Sequence, residues 1–250
     1  MKYIIGCITL IFTTTAMAQL TVMISGGFQG PYQQMLPQFE KMTGMKVTTL
    51  SGASQGSGPK TIKAQLDQGV KVDLVILSRE GLTELMGQGK IMPGTDIDLA
   101  IAPLGAAVPT GTPKPDIATI AALKQSLLYA KSIAVPGSTS GIYLTNQLFP
   151  QLGIADQILV TVTERGSQAT ALLAAGKVSM AVQPTSELVN IPGIEFIGRL
   201  PKETQLMQTF SAAILTGSTA SEAAQQLIQL LSSSQATQAI IHSGMDVIEH

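Results

Sequence analysis

Lys131-Ser-Ile-Ala-Val-Pro-Gly-Ser-Thr-Ser-Gly-Ile-Tyr143 couples an apolar strand to a loop of small hydroxyl residues and then to a helix. Ile133, Ala134 and Val135 form the short apolar run expected of a buried parallel strand, and Pro136-Gly137 ends it. Ser138, Thr139 and Ser140 stand where a helix N-cap belongs, with Ile142, Leu144 and Leu148 as the apolar positions behind them. A strand end that feeds a helix start aims free backbone N–H groups and the positive end of the helix dipole at one point, a setting that suits an anion. One such loop is an ordinary cap; repetition of the pattern gives it meaning.

The unit recurs on the N-terminal side. Residues 20–24 read as a strand, Ser25-Gly-Gly-Phe28 as its loop, and 31–43 as a helix with Gly44 as C-cap. Residues 46–50 form a second strand, Ser51-Gly-Ala-Ser-Gln-Gly-Ser-Gly58 a second small-residue loop, and 59–68 a helix that stops at Gly69. A third strand, 72–77, ends at Ser78-Arg79 before a helix over 81–88. Such alternation predicts largely parallel sheets flanked by helices, with ligands bound beyond the carboxyl ends of the strands. Asp73 precedes a buried strand instead of ending it, which gives it a structural role.

Beyond 91 the pattern loosens. Residues 101–108 read as an apolar strand, and Pro109-Thr-Gly-Thr-Pro-Lys-Pro115 as a turn-rich crossing between lobes. Strands are expected at 157–162, 178–182, 194–198 and 210–215, the last as the return crossing, with helices at 120–129, 168–175, 221–231 and 235–241. The fold class is therefore α/β with two lobes, each a mainly parallel sheet flanked by helices, and a hinged ligand cleft between them. The expected division is a first lobe from 19–104, a second from 105–212, and C-terminal helices over 213–250 that return to the first.

Lys2, an apolar run over 3–12 and the small-residue site Ala16-Met17-Ala18 read as a signal peptide, residues 1–18, cleaved before Gln19 and directing the chain to the periplasm. Ile4-Ile5-Gly6-Cys7 mimics a lipoprotein box, but cleavage there leaves almost no hydrophobic region ahead of the cysteine. Cys7 is the only cysteine among the 250 residues, so the mature chain offers no disulfide, thiolate metal site or cysteine nucleophile. With a net charge of −1 and scattered Lys and Arg, nothing suggests nucleic acid, and the lack of Trp leaves little for a sugar platform. The methionines, among them Met35, Met42, Met45, Met86 and Met92, lack the clustered His or Cys of a soft-metal site and read as core filling; no cofactor is expected. Lys60 and Lys63, at the start of the second helix, read as solvated.

The chain resembles the periplasmic solute-binding proteins of ABC transporters, within them the molybdate-binding type. The resemblance spans the mature chain. It rests on Ser25-Gly-Gly, on Gly52-Ala-Ser-Gln-Gly-Ser57 followed by Ile62-Lys-Ala-Gln-Leu-Asp-Gln-Gly-Val-Lys-Val-Asp-Leu-Val-Ile76, and on Lys131 to Tyr143 followed by Leu152-Gly-Ile-Ala-Asp-Gln157. The ending Ser234-Gln-Ala-Thr-Gln-Ala-Ile-Ile-His-Ser-Gly244 is similar too. It implies a dehydrated anion held by hydroxyls and backbone amides: Ser25 with Gly26 and Gly27, one of Ser54 or Ser57 with Gln55, and Ser138, Thr139 and Ser140. It also implies a small anionic ligand such as molybdate, tungstate, sulfate or an organic acid, an ABC permease as partner, and a monomer.

Gln183 departs from the family, whose members commonly carry tyrosine at that strand end; its amide both donates and accepts, and leaves room for a larger anion. Ser25-Gly-Gly-Phe28, Val182-Gln-Pro-Thr-Ser-Glu-Leu188 and Ile191-Pro-Gly-Ile194 resemble a branch that includes a periplasmic aconitate isomerase. Two readings stand: a non-catalytic anion receptor, and an isomerase that moves a double bond by proton transfer. The second needs a base and charge-stabilising donors. Glu187 or Glu80 are candidates for the base, and Arg79 and Arg165 for pairing with carboxylates; His242, just before Gly244, reads as a helix-end residue.

Overall fold

The computed structural model describes residues 19–249, so the expected signal peptide lies outside the described residues. β1 (Gln19–Ile24), α1 (Gln29–Thr43), β2 (Lys46–Ser51), α2 (Ile62–Asp67), β3 (Leu74–Ser78) and α3 (Arg79–Gly87) follow the alternation read from the sequence. β1 pairs in parallel with both β2 and β3. Gly44 closes α1 in the left-handed conformation, and the Thr61 and Ser78 hydroxyls cap α2 and α3.

The apolar run expected as one strand is two, β4 (Ile97–Ala102) and β5 (Leu104–Pro109), which lie in different sheets. Pro103 separates them, since it has no N–H to give to a ladder. The first lobe crossing is therefore made at Pro103, not in the turn-rich 109–115. Next come α4 (Ile120–Ala130), β6 (Ser132–Pro136), α5 (Thr139–Tyr143), α6 (Phe149–Gln151), β7 (Leu159–Thr163), α7 (Gly166–Ala174), β8 (Met180–Pro184) and β9 (Ile194–Arg199). A π-helical turn, Leu144–Leu148, joins α5 to α6.

β10 (Gln208–Ile214) then lies between β3 and β4, antiparallel to both. This corrects the expected end of the second lobe at 212, because the chain is already back in the first sheet at Gln208. α8 (Ser221–Ser232), α9 (Thr237–His242) and a short edge strand not read from the sequence, β11 (Asp246–Val247), complete the described residues. The sheets run β11-β4-β10-β3-β1-β2 and β7-β6-β8-β5-β9. Each is parallel in the half built by strand-helix repeats and antiparallel in the half that carries the crossings.

The cores follow from period-2 strands buried on both faces. Leu74 and Ile76 of β3 pack with Tyr32, Phe39, Leu227 and Ile240, whereas Val75 and Leu77 pack with Ile62, Leu82 and Leu85 on the opposite face. In the second lobe Ile133 and Val135 face Leu123, Leu148 and Phe149, while Ala134 faces Ala169 and Leu173. Of the methionines assigned to the core, Met35 is buried, but Met42 and Met86 are exposed. Asp73 is structural as read: it accepts from Thr21 N (2.9 Å), Ser218 Oγ (2.9 Å) and Thr219 N (3.1 Å).

Candidate functional site

The carboxyl ends of β1, β2 and β3 face those of β6, β7 and β8 across the cleft, and between them lies a narrow cavity of about 30 Å³. Pairing places the loops. Ile24 is opposite Ser51 in the β1–β2 ladder, so Ser25 and Gly52 leave the sheet side by side. The starts of the 3-10 turn Gly26–Phe28 that leads into α1, of α5 and of α7 all border the cavity, so three sets of helix N-terminal amides converge on it.

From the first lobe the walls are Ser25, Gly26, Gly27, Gly52, Ala53 and Ser54, joined by Gln208 and Phe210. Ser25 is buried, stands at an N-cap without capping, and its Oγ has no protein partner. Ser54 Oγ accepts from Ser78 N at 2.9 Å, which leaves its own proton free to donate. From the second lobe come Ser138, Ser140, Arg165, Gly166 and Glu187. Ser138 is the N-cap of α5 yet makes no capping bond. Arg165 Nη2 reaches across the cleft to Ser51 O (2.8 Å), while its Nε is buried without a partner. A buried donor left unpaired costs free energy, and several such groups around one void describe a site shaped for a polar, anionic guest.

Glu187 is the cavity's one acidic side chain among the described residues. It follows β8 in the 3-10 turn Thr185–Glu187, and its carboxyl presses against the Cα atoms of Gly26 and Gly166; a Cβ at either position would overlap it. Desolvation pushes the Glu187 carboxyl up to about 7. Gln183 holds this turn in place. Its side chain is buried behind the cavity wall and Nε2 donates to the Glu187 carbonyl at 3.0 Å. The expectation that Gln183 lines the pocket is therefore corrected to a supporting position.

The other candidates fall elsewhere. Arg79 is drawn away from the cleft by Asp96 (2.7 Å) and Asp98, so it is spoken for by two carboxylates of its own lobe. Glu80 is exposed at the start of α3, away from the cavity. Ser57 is exposed at the outer mouth, which resolves the choice between Ser54 and Ser57 as the cavity residue in favour of Ser54. Thr139 and Gln55 form a latch: Thr139 Oγ1 donates to Gln55 Oε1 and accepts from Ser78 Oγ, both at 2.8 Å. Lys60, read as solvated, pairs across the mouth with Glu164 at 3.1 Å. Gln208 and Phe210 escaped the sequence reading. They are at the start of an antiparallel strand, and Phe210 pairs with Ser78, so the beginning of β10 reaches the edge where the parallel strands end.

The model of a bacterial extracellular solute-binding protein family matches residues 20–246. An aconitate isomerase of Pseudomonas sp. is 33% identical over 246 residues, covering 96% of this chain and 94% of the relative. The periplasmic molybdate-binding protein of Azotobacter vinelandii superimposes with a TM-score of 0.71 at 20% identity, over 92% of this chain and 100% of that one. A sulfate-binding protein of Mycobacterium tuberculosis gives 0.72 at 16% identity, over 92% and 87%. The likeness to these structures is one of fold, and with its family model matched over 20–246 this chain belongs to the bacterial extracellular solute-binding protein family.

Proposed function

We propose that this protein is an isomerase of a small unsaturated polycarboxylate, aconitate, acting in the periplasm as a monomer. The observation that carries this reading is the Glu187 carboxyl, set in the wall of an anion cavity with its ionisation pushed up to about 7. A site that only holds a doubly charged oxyanion gains nothing from an acidic side chain against its guest. A site that moves a proton needs one, with an affinity close to ambient pH. The 33% identical aconitate isomerase supports the same reading.

Aconitate carries a methylene and a vinyl CH on either side of one central carbon. Glu187, ionised, takes a proton from the methylene; the electron pair left by the C–H bond spreads over the three carbons and their carboxylates. Return of a proton to the former vinyl carbon places the double bond on the other side, free to adopt the opposite geometry. No oxidant or co-reactant is consumed. Arg165, the Ser25, Ser54, Ser138 and Ser140 hydroxyls and the helix N-termini hold the carboxylates and stabilise the developing charge.

The second reading, a receptor that delivers a small oxyanion or organic acid to a membrane permease, is favoured by the hydroxyl-rich walls and the crossing hydrogen bonds of the latch. A thermal-shift screen with molybdate, tungstate, sulfate, citrate, cis-aconitate and trans-aconitate, followed by an absorbance assay of aconitate interconversion, separates the two. Stabilisation by the aconitates together with turnover is the expected result. Stabilisation by molybdate or tungstate alone, without turnover, overturns the isomerase.

A further inference from the structure

A second cavity lies behind the first, and Glu187 forms part of both walls. The rear cavity, about 280 Å³ and open to solvent, is set between α1 and the end of α9 on one side and the start of α7 and the turn after β8 on the other. Its lining is mixed: Gln33, Gln34, Ser167, Thr170 and Ser186 give it polar groups beside the apolar Val189 and Ile191, and Asn190 and His242 also border it. Ser186 Oγ is buried there without a protein partner. Gly26 borders both cavities as well, so the Glu187 side chain and a glycine are shared by the front and rear walls. The volume, the opening to solvent and the polar groups on its wall suit several waters.

We infer that Glu187 is served from two sides, by substrate in the interlobe cavity and by solvent through the rear cavity, so that its proton exchanges with water while the lobes stay closed. The inference rests on the isomerase reading for its consequence, though not for its geometry. At the front the carboxyl shares its cavity with Arg165; at the rear the titratable group is His242, whose Nε2 lies 3.4 Å from Asn190 Nδ2. A proton taken from the methylene need not be the one handed to the vinyl carbon, since it passes to rear water and another takes its place.

Isomerisation in D2O, followed by mass spectrometry at low conversion, tests this. Nearly every product molecule should carry one deuterium. Gln33→Phe and Gln34→Phe place apolar bulk on the exposed face of α1 at the rear mouth, where misfolding is not expected, and Ser186→Leu fills the interior; melting curves check each fold. These variants should raise the fraction of product that retains the original proton several-fold. Wild-type product that retains its proton overturns the inference, as does label uptake unchanged by all three variants. An arm independent of turnover uses the saturated analogue tricarballylate to hold the cleft closed, with the carboxyl C=O band of Glu187 assigned by Glu187→Gln. Transfer to D2O should shift that band in the bound state within the mixing time, and a band that shifts only on ligand release refutes the rear route. Absence of aconitate turnover with a shifting band would sink the isomerase reading and leave the route standing.

Discussion

At Glu187 the carboxyl proposed to receive a proton is also one whose charge the fold disfavours. Its affinity rises from 4.5 in the unfolded chain to about 7 in the folded one. Between those values the folded state binds more protons than the unfolded, so this group's stabilising contribution is complete below 4.5 and is lost as pH rises through 7. Glu187→Gln should leave the melting temperature little changed at pH 4 and raise it at pH 8, where the penalty removed is at most on the order of 3 kcal/mol. Activity runs the other way, because the base works ionised: kcat/KM for aconitate should climb through about pH 7 and then level. The same variant should cut kcat by roughly 10² to 10⁴ while binding persists, the range typical of a lost general base. Arg165→Gln removes the cavity's cation and should weaken aconitate binding about 10- to 100-fold by calorimetry, as expected for a charge-assisted contact. A Kd unchanged by that substitution would remove Arg165 from the site.

Elements place these side chains by means only partly written in the sequence. The loops after β1, β2 and β6 announce themselves through small hydroxyl residues between an apolar strand and a helix, and Ser25, Ser54, Ser138 and Ser140 are where that pattern puts them. Arg165 and Glu187 were legible as charges near strand ends, but Arg79 looked equivalent until Asp96 and Asp98 were found to hold it, a partnership between residues separated by a loop. Gln208 and Phe210 were illegible for a geometric reason: an antiparallel strand offers its first residues where its parallel neighbours offer their last. The split at Pro103 was hidden by an apolar composition continuous on both sides of it. At this scale the contact between α7 and the β8 turn is exacting, as Gly166 leaves no space for a side chain beside Glu187. Gly166→Ala should displace the carboxyl and lower kcat about tenfold or more with the helix intact, since small misplacements at a reacting centre are costly. Circular dichroism and steady-state kinetics on the same sample check both halves of that expectation.

For the whole molecule, the lips of the cleft beside Gly56 are joined by Thr139 with Gln55 and Ser78, Arg165 with Ser51, and Lys60 with Glu164, while Asn190 with His242 and Arg199 with Asp246 link the lobes elsewhere. The exposed Lys60–Glu164 pair contributes little, so at these lips separation is resisted by the hydroxyl latch and by backbone fit. Gly56, at φ 117°, brings its Cα so near the second lobe that a Cβ would lie 2.5 Å from Gly137 O. Gly56→Val should therefore hold the lobes apart, seen as a larger radius of gyration in scattering with ligand present and as an affinity loss of about tenfold or more, each 1.4 kcal/mol of strain being one decade. An unchanged radius would mean that the approach is not needed for closure. The order of the strands has another outcome, in time instead of space. β5 to β9 form an unbroken run of chain, whereas β3 has as its neighbour β10, which arrives only after that run is complete. As the chain emerges N-terminus first, its middle can assemble while its beginning still waits with an open sheet edge for its end. The part made first is finished last.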